Sequence, residues 1–259
     1  MAIFEIQRIG IPSGISRRYI CFCLLVLLTI PATLRVGAQV GEARRAIAIG
    51  VNGGLSLNTI SFDPSIKQKM HMGPTFGLTV RMSSEKYLSA LCALQIEINY
   101  ARLGWKEDIY DSNDEPLPDT YQRNQDYIQI PFMARLAWGK ERRGVMFYFM
   151  AGPQIGYCIG ESSSRSDVWT TTSTGEPDRP NNQYAQYDMP IEHKFDYGIT
   201  GALGLELNTK IGHFTLDGRY YYGLSDIYGN SKSDVFARSN HGTISVRLSY
   251  LIDIRKERN

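Results

Sequence analysis

Eight ionisable residues in this 259-residue chain sit at positions from which they could act together. They are Arg81, Arg135, Arg219 and Arg247, with Glu97, Asp196, Glu206 and Asp217. Guanidinium and carboxylate groups match as hydrogen-bonding forks, so the natural chemistry of this set is ion pairing. Pairing becomes a requirement if the groups are confined away from water, where a lone charge is costly. Arg219 with Asp217 or Glu97 is the expected contact. A second set is His71, His193 and His241, with Asp188 and Glu192 beside one of them. Hydrolysis or acyl transfer needs a nucleophile or activated water beside a base and its orienting group. Three histidines can hold a metal, but the spacing here forms no ligand motif. No catalytic, cofactor-binding or metal residue is therefore assigned. Gly152, Gly156, Gly198, Gly201 and Gly204 fall inside extended segments and form no phosphate loop.

The elements that carry the charges are recognised by alternation, because successive strand side chains point to opposite faces. Eight segments show it, at residues 47–57, 75–82, 92–100, 128–138, 145–159, 195–208, 214–224 and 243–252. In the fourth, Ile128, Ile130, Phe132, Ala134, Leu136 and Trp138 oppose Gln129, Pro131, Met133 and Arg135. In the sixth, Leu203, Leu205 and Leu207 oppose Glu206 and Asn208. One register carries no charge in any segment, and the other carries all eight ionisable residues. A cation on a lipid-facing wall at mid-bilayer costs about 2–4 kcal/mol, which accounts for the sorting. The segments are long enough, since about 9–11 tilted residues cross the hydrocarbon. Connections alternate long and short, with long ones at 58–72, 105–121, 160–193 and 225–240. This is the pattern of outer-membrane barrels, whose short turns are periplasmic and whose longer loops are external. The expected fold is all-β, an eight-stranded antiparallel up-and-down transmembrane β-barrel with long extracellular loops.

Alternation alone does not say which face is inside, and a soluble lipocalin-like barrel is the rival. Loop alternation and the charge-balanced second face favour the membrane. Tyr100, Trp105, Tyr157, Phe195, Tyr197, Tyr220 and Tyr222 would then mark the outer interface, and Tyr87, Trp138 and Tyr250 the periplasmic one. Pro131 and Pro153 remove ladder donors inside strands, so a local bulge is expected at each.

Residues 1–38 read as a secretory signal peptide, with 39–259 as the barrel domain. Arg17-Arg18 precedes the apolar run 19–30, and Val36-Gly37-Ala38 supplies a small-residue cleavage site. Of the four cysteines, Cys21 and Cys23 leave with that segment. Cys92 and Cys158 fall on non-neighbouring strands, at opposite ends and faces, and no disulfide is expected. The balance of 28 basic and 26 acidic residues gives no sign of nucleic-acid binding.

Residues 127–136, reading YIQIPFMARL, resemble the "Y-[IL]-x-[IL]-P" strand of the PorT-like outer-membrane β-barrel family of Bacteroidetes. The glycine-rich stretch 198–206 and the segment 220–227, YYYGLSDI with Asp226 at its N/D position, are similar to two further segments of that family. The resemblance spans roughly residues 44–253. It implies an outer-membrane location and a role as accessory or scaffold in protein export by type IX secretion. Outer-membrane lipid and other secretion-system proteins are the implied partners, with no small-molecule substrate and no cofactor. The alternatives are a structural barrel without a secretion role, a small pore, and a membrane-embedded hydrolase or acyltransferase. Eight strands leave a bore just wide enough for side chains, which speaks against the pore and for a closed lumen held by arginine–carboxylate contacts.

Overall fold

A computed structural model of the chain describes residues 42–141, 143–180, 183–187, 189–228 and 236–255. The expected signal peptide, residues 1–38, lies outside the described residues. Strands run Glu42–Asp63 (β1), Gln68–Lys69 (β2), His71–Tyr87 (β3), Ala90–Glu107 (β4) and Tyr121–Gly139 (β5). They continue as Gly144–Arg165 (β6), Phe195–Asn208 (β7), His213–Asp226 (β8) and Arg238–Arg255 (β9). Apart from the two-residue β2, which pairs with the end of β4, the long strands among the described residues number eight. Each is antiparallel to its neighbours, and both β4–β5 and β1–β9 pairings are present, so the sheet closes on itself. All eight alternating segments fall within these strands.

The two faces are now assigned. Phe132, Leu205 and Val246 are 39%, 52% and 56% exposed on the outer wall, whereas Arg135 and Glu206 are 1% and 2% exposed inside. The lipocalin-like arrangement would require the reverse. Gly204, on the inner face of β7, makes room for a neighbour: a Cβ there would lie 2.4 Å from Cζ of Tyr148.

Three expectations need correction. Several strands outrun their segments at the end bearing the long loops; β1 continues to Asp63, β4 to Glu107 and β6 to Arg165. In β1 and β4 alternation persists there with its polarity exchanged. Thr59, Ser61, Arg102, Lys106, Gln122 and Asn124 face outward, while Ile60, Phe62, Leu103 and Trp105 are buried within. Trp105 is therefore an inward core residue and not an interfacial anchor. Second, neither proline makes a bulge. The β5–β6 ladder pairs Pro131 with Gln154 and resumes at Ala134 with Ala151 in the same register, so the lost donor interrupts pairing without shifting it. Third, the expected connection 160–193 is not loop alone: β6 runs on to Arg165, and Trp169, Tyr187 and Met189 pack onto the buried cluster at the barrel mouth.

Candidate functional site

The bore is filled in tiers. Around the middle, Glu97 receives both terminal nitrogens of Arg219, at 2.7 and 2.9 Å, in a fork geometry. The same carboxylate accepts Arg247 Nη1 at 3.2 Å, Gln95 Nε2 at 2.7 Å and Asn99 Nδ2 at 2.9 Å. Arg219 also donates to Asp217, whose second oxygen accepts the Tyr148 hydroxyl at 2.9 Å. Nearer the short turns, Glu206 joins Arg81 at 2.6 Å, Arg135, and His213 Nδ1 at 3.0 Å. The Arg135 guanidinium rests over the Tyr148 ring, 4.2 Å from its centroid. The arginines and carboxylates of both clusters are buried, with His213 partly exposed, and removing one partner of such a buried pair typically costs about 3–5 kcal/mol.

Seven of the eight ionisable residues are thus joined in two clusters. Among the described residues Asp196 takes no arginine. It lies at the loop-end start of β7, away from the four guanidinium groups, and accepts the hydroxyls of Tyr221, at 2.7 Å, and Ser225. His213 was not among the sequence candidates, although continuing the inward parity of Asp217 and Thr215 by one step reaches it. Its other ring nitrogen is 2.9 Å from Asp253.

A methionine-rich cluster lines the turn-end half of the bore, built from Met133, Met146, Met150, Ala137 and Ala202 around Tyr148. The loop end is filled by aromatics. Phe62 meets Trp105 edge-on at 5.3 Å and Phe236 at 4.9 Å between centroids. Tyr121 packs on Trp105 at 5.2 Å and on Tyr187 at 4.8 Å. Ile109, Ile191, Ile227 and Tyr228 complete this cluster from three connecting loops. Missing it at the sequence level came from stopping each segment where the outward face turned polar.

The candidate histidines are not assembled into a centre. His71 and His241 are buried inside the wall, with His241 edge-on to Tyr127 at 5.3 Å, whereas His193 is exposed. Asp188, named beside His193, lies outside the described residues. Among the described residues no group of three His, Cys, Asp or Glu side chains is placed to hold a metal ion. Cys92 and Cys158 are both free thiols.

Comparison with solved structures gives barrels of low sequence similarity. The attachment invasion locus protein Ail of Yersinia pestis is 12% identical, covering 82% of this chain and 99% of its own at a TM-score of 0.35. OprG of Pseudomonas aeruginosa is also 12% identical, covering 82% and 98% at 0.43. The Neisserial surface protein NspA is 12% identical, covering 79% and 96% at 0.37. Comparison with curated proteins returns no match. The assignment comes instead from a family model, the outer membrane protein beta-barrel domain, which matches residues 37–229. The apolar outer wall around a closed ring of strands agrees with that description, and the chain belongs to this family, as a β-barrel of the outer membrane.

Proposed function

We propose that this barrel is a non-conducting scaffold of a protein-export machinery, PorT-like in kind and working in type IX secretion of a Bacteroidetes cell. The observation that carries the reading is the filled bore: ion-paired arginines at mid-height and an aromatic cap at the loop end leave the outer loops as the working surface. The PorT-like strand at 127–136 and the segment at 220–227 supply the link to secretion. In this reading residues 1–38 are cleaved on export, the long loops face the exterior, and lipid and secretion proteins are the partners.

Two measurements test it. Recording from the purified barrel in planar bilayers is expected to show no stable unitary conductance; ion-sized steps would remove the closed scaffold in favour of a small pore. Deleting the gene is expected to trap secreted cargo in the periplasm, and unchanged secretion would reject the export role while leaving the barrel assignment intact.

A further inference from the structure

At the loop end, three connections converge on a cleft of about 280 Å³ that belongs neither to the charged bore nor to the secretion reading. Lys67 lines it from the β1–β2 connection, Glu107 and Tyr110 from the end of β4 and the loop that follows, and Arg179 and Gln186 from the β6–β7 loop. The charges here do not balance. Asp114 is paired with Lys67 at 2.6 Å, Asp108 with Lys69 at 2.8 Å, and buried Asp119 with Arg179 at 3.2 Å. Each of these carboxylates has a cation of its own.

Glu107 has none among the described residues. It is 7% exposed, and one oxygen accepts only neutral donors, the Tyr187 hydroxyl at 3.0 Å and Gln186 Nε2 at 3.3 Å. Its other oxygen is buried with no donor, and so is the amide oxygen of Gln186 beside it. Two acceptors without donors, on side chains that hydrogen-bond each other and one of them an unpaired carboxylate, form the complement of a group carrying several N–H bonds and a positive charge. Arg179 is already committed to Asp119, Tyr187 and the carbonyl of Asp178. The mouth shows the same recognition in use: the Lys67 ammonium sits 3.9 Å from the centroid of the Tyr110 ring while pairing with Asp114.

We propose that this cleft binds a primary ammonium group, seated between Glu107 and Gln186. The ammonium donates one N–H to each orphaned oxygen and supplies the missing counter-charge. Its source is either a free small amine or a lysine side chain of a polypeptide, and the cleft volume admits both. Binding carries a proton signature. Burial pushes the Glu107 carboxyl up to about 7, so the empty cleft must release a proton before it pairs with a cation. The groups facing this carboxyl are Tyr187 and Gln186 at hydrogen-bond distance, Arg179 behind them, and Lys67, Asp108, Tyr110 and Asp114 around the cleft.

The test is calorimetric titration of the full barrel in detergent with butylammonium, Nα-acetyl-lysine amide and tetramethylammonium. Saturable binding of the first two, and none of the third, is expected, because tetramethylammonium has the charge without the N–H donors. Tighter binding of the lysine derivative identifies a polypeptide source, and tighter binding of butylammonium a free amine. Glu107→Gln is expected to weaken both by at least about tenfold. Wild-type affinity should also fall about tenfold per pH unit below 7, a readout that does not depend on the variant folding. Absence of saturable binding, equal binding of tetramethylammonium, a flat pH profile or an unaffected Glu107→Gln barrel would each overturn the site.

Discussion

The same strands pass through two solvents, and their side chains exchange roles at the boundary. Along β4, Leu94, Ile96 and Ile98 face outward, and Gln95, Glu97 and Asn99 inward. A few residues on, Arg102 and Lys106 face outward, while Ala101, Leu103 and Trp105 are inside. β1 makes the same exchange between Leu57 and Ile60; on β5 the outer face turns polar between Ile128 and Asp126, while Arg123 and Gln125 lie buried inside beside Tyr121. Backbone pairing continues through the crossing in each case. Hydrogen bonding therefore fixes the parity of a strand, and the medium against its outer wall fixes which parity is apolar. In the lipid-facing band the wall must be greasy, and polar groups satisfy one another in the bore. In the loop-end collar water covers the outside, and the hydrophobic effect packs the inside as in a soluble core.

Paired substitutions would break or sharpen that contrast. The largest effect is expected from Trp105→Ala, which empties the collar's core and should cost about 3–5 kcal/mol in urea unfolding followed by gel shift. Trp138→Ala, on the outer wall at the turn end, opens no internal cavity and should cost far less; equal losses would refute the exchange of faces.

Next comes Leu205→Arg, expected to cost about 2–4 kcal/mol when the barrel is unfolded from lipid vesicles. Asn124→Arg, equally outward but in the collar, should leave the unfolding midpoint unchanged. A comparable penalty at both sites would mean that lipid reaches the collar.

The third effect depends on pH. Because the folded chain holds the Glu107 proton up to about 7, it binds more protons than the unfolded chain between the usual carboxylate range and 7. Stability is then lost as pH rises through that window. In amine-free buffer Glu107→Gln should raise the melting temperature at pH 8, by on the order of 1–3 kcal/mol in stability, with no gain at pH 4. A gain of the same size at both values would locate the effect elsewhere.

Smallest is the ion pair on the collar's outer wall, where Arg102 Nε meets Asp126 at 2.8 Å in a half-exposed setting. Arg102→Ala should cost no more than about 1 kcal/mol, shrinking further in high salt. A loss as large as that of Leu205→Arg would show this wall to be dry.

Much of this was legible along the chain, because period-two alternation is a local property that survives without knowledge of neighbours. Arg81, Arg135, Arg219, Arg247, Glu97, Glu206 and Asp217 could be placed on one face by parity alone. Parity says nothing of height around a tilted ring, so Asp196 was grouped with arginines it does not meet. It also gave no reason to continue β4 beyond Tyr100, where the familiar apolar stripe ends although the strand does not. The cleft at Glu107 was invisible for a further reason: its residues come from three connections, and nothing in their spacing marks them as neighbours.

The sequence by itself determined the number of long strands, their two faces and the alternation of long and short connections, all of which follow from side-chain direction on an extended backbone. Only the tertiary structure decided which arginine meets which carboxylate, how the loops cap the bore and where Glu107 lies without a cation. Those depend on the stagger between strands and on contacts distant in the chain, and both arise only when the sheet closes.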